Sequence, residues 1–394
     1  MVVLAVPMRA FAALLLVTLL VLPGCLSPEP RTGELDEVTP PGGPGEHPES
    51  RIAVVALGLA TIWVIAFSPD SRVFLTQRAG TITVLDAEGQ ASTWRTVDGA
   101  ASGESGLMGL ALHPAFPQQP WVYACYTYRN DDGELTNRIS RFQEQEGQGG
   151  AEEILLDGLD GAGIHDGCRL AFGPDGNLHA TMGDAARASR AQDPRSPNGK
   201  VLRMSPTGTP AGALEGGHPY VYTMGHRNPQ GLAFHPATGE AYISEHGPEN
   251  HDEVNRLVPG ANYGWPQARG PDDGDGAYQG SLWTSGAGGT VAPAGAAFIQ
   301  AEGSPLDHAF VFGTLKASQL HVLLADGSDD RLEAEDRVAL SEEFGRLRAV
   351  TWGPDGALYL GTSNRDGRGQ PGPQDDRVLR VPLGVLEDAL GLAG

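Results

Sequence analysis

The sequence has 394 residues, of which 40% are hydrophobic and 19% charged, and it is long enough to bury a sizeable core. Its 49 acidic residues outnumber 27 Lys and Arg, and the formal net charge of -22 argues against a surface for nucleic acid or anionic membrane. The 55 Gly and 30 Pro predict many turns and short strands.

The first residues are typical of an export signal. Arg9 precedes the apolar stretch Ala10–Leu22, which is too short for a comfortable membrane span. The stretch ends in Leu-Pro-Gly-Cys, which resembles a lipobox, so we expect cleavage after residue 24 and a lipid anchor on Cys25. The alternative is an ordinary signal peptide with a chance cysteine. The protein is therefore expected outside the cytoplasm, at the cell surface or in the periplasm.

Residues 25–50 are rich in Pro, Gly and Glu and hold almost no large apolar side chains. Such a composition cannot bury enough surface to fold, so we expect a disordered tether ahead of one domain at 51–394. Cys125 and Cys168 lie in that domain. An oxidising compartment permits a disulfide between them, although the sequence does not show that they are close.

One pattern recurs along the domain: an apolar pair, a turn that contains Pro, and a strand. The turns contain Pro69, Pro114, Pro174, Pro236 and Pro354, at spacings of 45, 60, 62 and 118. The last spacing is about two periods, so a sixth unit without its Pro is expected at Phe310–Leu324. Six such units predict an all-β fold, a six-bladed β-propeller of four-stranded antiparallel blades. The alternatives are a β-sandwich or a β-helix.

Four segments carry polar residues that the blade pattern does not require. They are 103–106, 165–169 with 183–184, 225–266, and Lys316 with 346–348. Each begins or ends a repeat, so we expect them to face one mouth of the central channel, where loops held by a rigid sheet carry function.

Three motifs of the third segment, GHRNPQGLAF, SEHGPENHDEVN and NYGWP, follow one another in a specific order. In this order they resemble the soluble glucose and aldose sugar dehydrogenases that depend on pyrroloquinoline quinone (PQQ), over roughly 52–383. The resemblance implies oxidation of aldose sugars at the C1 hydroxyl to the lactone, with PQQ and Ca²⁺ as cofactors. Electrons would pass to an external acceptor that the sequence does not identify, and no nucleic acid is expected as a partner.

The resemblance also implies three catalytic residues. His165 matches the base, Asp184 the carboxylate that orients it, and Arg227 a cation near the reacting carbonyl. An imidazole suits proton abstraction because it titrates near neutrality. A lone His is more often structural, but the Gly-Asp pair at 183–184 favours the catalytic interpretation.

PQQ is a planar tricarboxylate with an ortho-quinone, so its site needs cations. The cofactor contacts implied by the resemblance are Glu104, Arg227, Asn228, Thr314, Lys316, Arg346 and Arg348. The planar fork of Arg suits carboxylates, although a surface ion pair is the ordinary role of any one of these cations. Glu104 stands where the family has Gln and places a carboxylate near an anionic cofactor. The loop at 270–283 does not align, and Tyr278 in it is a candidate cofactor neighbour.

Calcium would be held by oxygen ligands, which the resemblance assigns to the carbonyls of Gly247 and Pro248. A second Ca²⁺ site is implied at Glu253 and Tyr263, for which the alternative is a solvated acidic turn. Two other functions are compatible with the sequence. One is a calcium-dependent propeller lactonase or hydrolase, and the other is a non-catalytic surface-binding lipoprotein.

Overall fold

The computed structural model describes residues 51–392, except Glu88, 272–273, 327–331 and the side chain of Ala334. The expected signal peptide at 1–24 and the tether at 25–50, with its lipid-anchor candidate Cys25, lie outside the described residues. The domain expected from residue 51 onward is described almost throughout.

The described chain forms six four-stranded antiparallel sheets. The first strand, β1 (Ala53–Ala56), belongs to the last blade. The next twelve strands form blades one to three: β2 (Ile62–Phe67), β3 (Val73–Gln77), β4 (Thr81–Leu85), β5 (Ala91–Thr96); β6 (Leu107–Leu112), β7 (Trp121–Arg129), β8 (Leu135–Gln145), β9 (Gln148–Asp160); β10 (Gly167–Phe172), β11 (Leu178–Met182), β12 (Lys200–Met204), β13 (Val221–Met224).

The remaining strands form blades four to six, and β1 completes the sixth as its outermost strand. They are β14 (Pro229–Phe234), β15 (Ala241–Glu245), β16 (Glu253–Arg256), β17 (Trp283–Thr284); β18 (Pro293–Phe298), β19 (Phe310–Thr314), β20 (Leu320–Ala325), β21 (Leu332–Ala339); β22 (Leu347–Trp352), β23 (Ala357–Thr362), β24 (Val378–Pro382). The six-bladed β-propeller predicted from the repeat is therefore confirmed.

Among the described residues, helical structure is confined to short elements. They are α1 (Ser189–Gln192), a 3-10 turn (Gly286–Gly288) and α2 (Leu383–Ala389). Within the described ranges, no helix has the length and apolar character needed to cross a membrane.

The core lies between neighbouring blades and is built from aromatic and branched side chains. Between blades one and two, the ring of Phe74 meets Trp94 edge-on at 5.6 Å and Phe116 at 5.9 Å. All three side chains are at most 2% exposed, and burial of each contributes roughly 2–3 kcal/mol before the entropy cost of ordering it. Packing of this kind holds the blades rigidly, so that loops at the channel mouth have fixed positions.

The strand β2 and its counterparts β6, β10, β14, β18 and β22 pack side by side as the innermost strands of the ring. In five blades a Pro-containing turn follows the innermost strand. The polar segments lie at the opposite end: 103–106, 165–166, 225–228 and Arg346 precede an innermost strand, and 183–184 and Lys316 follow the second strand of a blade. The Pro turns therefore lie on one face of the propeller, and the candidate site residues lie on the other.

The fifth unit is present, but the predicted position of its first strand is wrong. The innermost strand of blade five is β18, whereas residues 310–324 form the second and third strands of that blade. The physical reason is a longer connection at 299–309, in which Ala301 N donates to Asp307 and Ile299 N to the carbonyl of Ala309. The short Pro turn of the other blades is absent there, which displaced the expected register.

A disulfide joins Cys125 on β7 to Cys168 on β10, with a Cα–Cα distance of 5.6 Å. Both cysteines are fully buried, and the bond ties the second blade to the third. Because the two cysteines are 43 positions apart in the sequence, the bond closes a long loop in the unfolded chain.

We expect the double substitution Cys125→Ala and Cys168→Ala to lower the free energy of unfolding by roughly 2–4 kcal/mol, because the unfolded chain gains the freedom of that loop. Chemical denaturation of the purified protein measures the loss. Dithiothreitol should destabilise the wild type but have no effect on the double variant. Equal sensitivity of both proteins to the reductant would contradict the assignment.

Candidate active site

The candidate catalytic and cofactor residues come from different blades and meet at one mouth of the channel. Glu104 precedes β6, His165 precedes β10, and Arg227 precedes β14. On the opposite side of the mouth, Arg346 precedes β22 and Arg348 lies within it. The mouth therefore brings together residues that are distant in sequence.

The imidazole of His165 is held by a buried carboxylate. Its Nδ1 lies 2.9 Å from Oδ1 of Asp184, whose side chain is 2% exposed. The second oxygen of Asp184 accepts a hydrogen bond of 2.9 Å from the indole Nε1 of Trp265. With Nδ1–H donated to Asp184, the Nε2 atom of His165 is left as the proton acceptor, and its side chain is 14% exposed.

The main chain at His165 adopts an unusual conformation with φ of 63°. Its carbonyl accepts a hydrogen bond of 3.1 Å from the amide of Ala185 and lies against Gly183. A Cβ atom at Gly183 would stand only 1.9 Å from this carbonyl oxygen, so only glycine fits. The Gly-Asp pair therefore serves His165 twice: Gly183 admits its backbone, and Asp184 orients its ring.

Arg227 lies beside the pair formed by His165 and Asp184. Its carbonyl accepts a hydrogen bond of 2.8 Å from the amide of Asp184, and its own amide donates to Glu245. The guanidinium donates to the carbonyl of His246 at 3.2 Å and sits 5.4 Å from the centroid of the Trp265 ring. Trp265 is thus the common neighbour of the carboxylate and of this cation.

Asn228 is fully buried, and its amide donates to Oε2 of Glu104 at 3.3 Å. The same carboxylate oxygen accepts a hydrogen bond of 3.2 Å from the main-chain amide of His165. The other atom of the Asn228 amide, Oδ1, has no hydrogen-bond partner among the described residues. A buried polar atom in this state is a candidate contact for a bound molecule.

Glu104 is ionised despite its buried position. Burial opposes the charged form, but His246, the guanidinium of Arg368 and the amide of His165 outweigh it and lower the pKa of Glu104 to about 2. Nη1 of Arg368 lies 2.8 Å from Oε1 of Glu104. The carboxylate that stands in place of the family's Gln therefore has its own cation.

Arg346 and Arg348 share the carboxylate of Asp366, with Nη2 of each at 2.8 and 3.2 Å from Oδ2. Burial lowers the pKa of Arg348 to about 10, which leaves the guanidinium charged at neutral pH. The Arg348 guanidinium also lies 4.1 Å from the centroid of the Trp63 ring. Two cations and one carboxylate leave a net positive charge on this side of the mouth.

Lys316 and Thr314 lie at the end of β19, and they differ in whether their side chains are free to contact a bound molecule. The ammonium side chain of Lys316 is exposed, while its amide donates to the carbonyl of Val291 at 3.0 Å. The hydroxyl of Thr314 donates to the carbonyl of Gln319 and accepts from the amide of the same residue, each at 2.9 Å. Thr314 is buried and its hydroxyl proton is used within this turn.

The Gly247–Pro248 turn is held by the buried carboxylate of Asp252, which accepts a hydrogen bond of 2.9 Å from the amide of Gly247. A Cβ atom at Gly247 would come within 2.0 Å of the carbonyl oxygen of Asn250, so the tight turn requires glycine. The oxygen ligands that this turn can offer are main-chain carbonyls, as expected for a calcium site of the resembled kind.

Glu253 and Tyr263 lie near this turn, but their polar atoms are engaged in different contacts. Glu253 accepts hydrogen bonds from the amide of Gly270 at 2.5 Å and from Asn255 at 2.9 Å. The Tyr263 hydroxyl donates to the carbonyl of Arg256 at 2.6 Å, which leaves its main-chain carbonyl as the group that a cation could use. Burial, together with Glu245, raises the pKa of Glu253 to about 8.

A cavity of about 10 Å³ lies between these elements, with Arg227, Gly247, Pro248, Glu253 and Trp265 in its lining. This space admits roughly one water-sized particle. In the described part of the chain, no three His, Cys, Asp or Glu side chains are grouped to hold a metal ion.

The chemistry of these residues fits the expected cofactor. A planar tricarboxylate needs cations and hydrogen-bond donors around a rigid floor, and the mouth offers Arg227, Arg346, Arg348 and Lys316 from three sides. The unpartnered Oδ1 of Asn228 points to a further contact.

Three functional neighbours were missed by sequence reasoning. Trp265 lies in the quoted motif NYGWP but received no role, and Asp366 and Arg368 lie in the polar run 363–369 after β23. That run follows a strand at the same mouth, which is the signal that could have identified it.

Comparisons with known proteins agree with this geometry. A family model described as glucose/sorbosone dehydrogenase matches residues 59–370. Quinoprotein glucose dehydrogenase B of Acinetobacter calcoaceticus is 34% identical over 249 residues, which cover 54% of this chain and 51% of that protein. The match to this relative therefore spans about half of its length.

Two solved structures are similar over most of the chain. The PQQ-bound form of aldose sugar dehydrogenase from Streptomyces coelicolor has a TM-score of 0.73 and 35% identity, and the match covers 83% of this chain and 95% of that one. An oxidoreductase of Thermus thermophilus, provisionally described as a glucose dehydrogenase, has a TM-score of 0.77 and 44% identity, with coverage of 84% and 99%.

Asp166 follows His165 directly and is buried, with Oδ1 accepting hydrogen bonds from Asn137 at 2.8 Å and from the amide of Ala162 at 3.0 Å. Its Oδ2 has no partner among the described residues. Burial raises the pKa of Asp166 to about 7. The native state therefore holds a proton that the unfolded chain releases at about pH 4.

Because the native state binds the extra proton, the stability that it contributes is present at acid pH and is lost as the pH rises towards 7. We expect Asp166→Asn to remove this loss and to be the more stable protein above pH 7, by roughly 2–4 kcal/mol. Urea unfolding between pH 4 and pH 8 measures the difference, with the exposed Asp132→Asn as control. Parallel stability curves for wild type and Asp166→Asn would contradict the shift.

Proposed function

Because the chain belongs to the glucose/sorbosone dehydrogenase family, we propose that it oxidises aldose sugars at the C1 hydroxyl to lactones, with PQQ and Ca²⁺ as cofactors. One observation carries the proposal: a carboxylate-oriented imidazole and a set of cations face the same mouth of the propeller. The imidazole can remove a hydroxyl proton, and the cations can hold an anionic cofactor next to it.

The residues of this chain supply binding and proton transfer. Asp184 accepts Nδ1–H of His165 and so presents Nε2 to the sugar hydroxyl, which gives up its proton there. As His165 becomes charged, the buried Asp184 carboxylate stabilises the imidazolium. The Trp265 indole keeps Asp184 in place, and Arg227 provides positive charge on the same side.

When bound, PQQ would take the hydride that leaves the same carbon, and its electrons would pass to an acceptor that remains to be identified. Arg346, Arg348 and Lys316 would hold its carboxylates from one side, with Asn228 and Arg227 on the other. The carbonyls of Gly247 and Pro248 would hold Ca²⁺, and Glu253 with the main chain of Tyr263 would hold a second ion.

The structure favours this function over a propeller hydrolase. A hydrolase with a central metal needs free carboxylates at the mouth. Here Asp366 pairs with Arg346 and Arg348, Glu104 pairs with Arg368, and Asp184 pairs with His165. A non-catalytic binding protein has no need of an oriented imidazole beside these cations.

We also propose that the protein acts outside the cytoplasm, anchored to a membrane through lipid on Cys25. The lipobox-like motif at 22–25 supports the anchor. The buried disulfide supports the compartment, because such bonds persist in oxidising surroundings and are rare in the cytosol.

The function is tested by reconstitution. Purified apoprotein is mixed with PQQ and Ca²⁺, then given a panel of aldoses and a dye acceptor, and we expect dye reduction that disappears when Ca²⁺ is chelated. His165→Ala should lower kcat by roughly 10²–10⁴-fold while PQQ is still retained on desalting. The proposal fails if no aldose reduces the dye and no quinone absorbance remains with the wild type. Full activity of His165→Ala would contradict the role of the base alone.

Lys316→Ala should weaken PQQ binding roughly tenfold or more, because a hydrogen bond to a charged group contributes about 1.5–3 kcal/mol. Lys316 is exposed, so the variant should fold normally. Quenching of intrinsic fluorescence on titration with PQQ gives the Kd. The matched control is Arg256→Ala, an exposed cation at the far end of β16 whose partner is Glu240. Equal Kd values for Lys316→Ala and wild type would remove Lys316 from the site.

A further inference from the structure

We propose that Arg368 is a positioning residue, which neutralises Glu104 and thereby holds the base His165 and the cofactor contact Asn228 in register with the cations of the sixth blade. The inference rests on the proposed function for its effect on PQQ. It rests on the geometry of the mouth alone for the contacts themselves.

Glu104 is the junction on one side of the mouth. Its Oε2 accepts the amide of His165 at 3.2 Å and the side-chain amide of Asn228 at 3.3 Å. Its Oε1 accepts Nη1 of Arg368 at 2.8 Å. One carboxylate therefore connects the second, third and fourth blades to an arginine that follows β23 in the sixth.

Arg368 is itself fixed to the opposite side of the mouth. Its main-chain amide donates to Oδ1 of Asp366 at 2.9 Å, while Oδ2 of Asp366 takes the guanidinium groups of Arg346 and Arg348. Oδ2 of Asp366 thus contacts the proposed cofactor cations Arg346 and Arg348, while Oδ1 contacts Arg368, which reaches Glu104. A continuous set of contacts runs from His165 through Glu104, Arg368 and Asp366 to Arg346 and Arg348.

A second arginine supports the same junction. Nη1 of Arg78 donates to the carbonyl of Gly103 at 2.5 Å, next to Glu104, and lies 3.4 Å from the carbonyl of Asp366. Arg78 bonds only to main-chain oxygens in these contacts, so it joins the loops without pairing with the Glu104 carboxylate. Arg368 forms the ion pair with that carboxylate, to which His246 adds a second electrostatic interaction.

The charges explain why the arginine matters for binding. The Glu104 side chain is only 11% exposed, so an uncompensated carboxylate there would repel an anionic cofactor through a poorly screened path. The guanidinium of Arg368 is 56% exposed and cancels that charge at the rim. Substitution of Arg368 should therefore harm PQQ binding through Glu104, and neutralisation of Glu104 should restore it.

The test compares Arg368→Met, Glu104→Gln, the double variant and Arg368→Lys, with PQQ affinity, kcat and apoprotein thermal unfolding as measurements. We expect Arg368→Met to raise the Kd for PQQ roughly tenfold, the size of one charged hydrogen bond. The double variant should recover to within about threefold of wild type, since a neutral side chain at 104 needs no counter-charge. Arg368→Lys should recover part of the loss.

The matched control is Arg365→Met, a neighbouring exposed arginine that donates to the carbonyl of Asp375. It should leave the Kd for PQQ and kcat unchanged. The proposal would be overturned by an unchanged Kd for PQQ in Arg368→Met. It would also be overturned if the fold-changes in Kd of the two single variants simply multiplied in the double variant.

Failure of the proposed function gives a different result. In that case the wild-type protein binds no PQQ, and the proposed effect of Arg368 on PQQ affinity is wrong as well. The contacts are then judged on the apoprotein: thermal unfolding must show that the effects of Glu104→Gln and Arg368→Met are not independent. Independent effects there would overturn the pairing as well.

Discussion

The structure depends on one closure, the antiparallel pairing of β1 with β24. The first strand of the described chain completes the last blade, with Ala53 opposite Arg380 and Ala56 opposite Val378. Beyond the strands, Leu59 and Asp376 exchange main-chain hydrogen bonds of 2.9 and 2.8 Å. This closure links the sixth blade through the main chain to the first, whose innermost strand β2 also packs against β22. The contact of Arg368 with Glu104 and that of Arg78 with the carbonyl of Asp366 both cross this closure, so the site is complete only when the ring is.

Charge compensation is the second organising feature of the mouth. Burial raises the cost of each isolated charge, and the chain meets that cost by placing cations against carboxylates at short distances. Burial acts to raise the pKa of Asp366, but Arg348 and Arg346 outweigh it and lower that pKa below its usual value. The arrangement leaves more positive than negative charge around Asp366, in a protein whose overall charge is strongly negative. A local excess of this sign suits an anionic cofactor and shows that net charge alone says little about a site.

Local patterns in the sequence were sufficient for much of the fold, but not for the partners of the site residues. The Pro turns and their spacing indicate six blades, because every blade repeats the same short-range geometry. The fifth blade was misplaced, because its longer turn lacks the signal. Gly183 next to Asp184 could be interpreted locally, whereas the pairing of Arg368 with Glu104 spans 264 positions and that of Trp265 with Asp184 spans 81. Such pairs depend on how the blades are arranged around the ring, and local sequence patterns do not predict which side chains of different blades meet.

The two halves of the mouth are held by different kinds of force. His165 lies at the start of β10, where Gly167 and Cys168 also have positive φ and the strand register shifts before Leu170. This irregular stretch is tied to β7 by a covalent bond at Cys168 and to Asp184 by a buried hydrogen bond, neither of which salt screens strongly. The Arg368 pair is half-exposed and is therefore open to screening, whereas Asp366 and its two arginines are shielded by burial. Added salt should thus loosen the connection between His165 and the arginines of the sixth blade before it disturbs either group. It follows that the position of His165 is set by the covalent and buried contacts, and its alignment with Arg346 and Arg348 by the exposed pair.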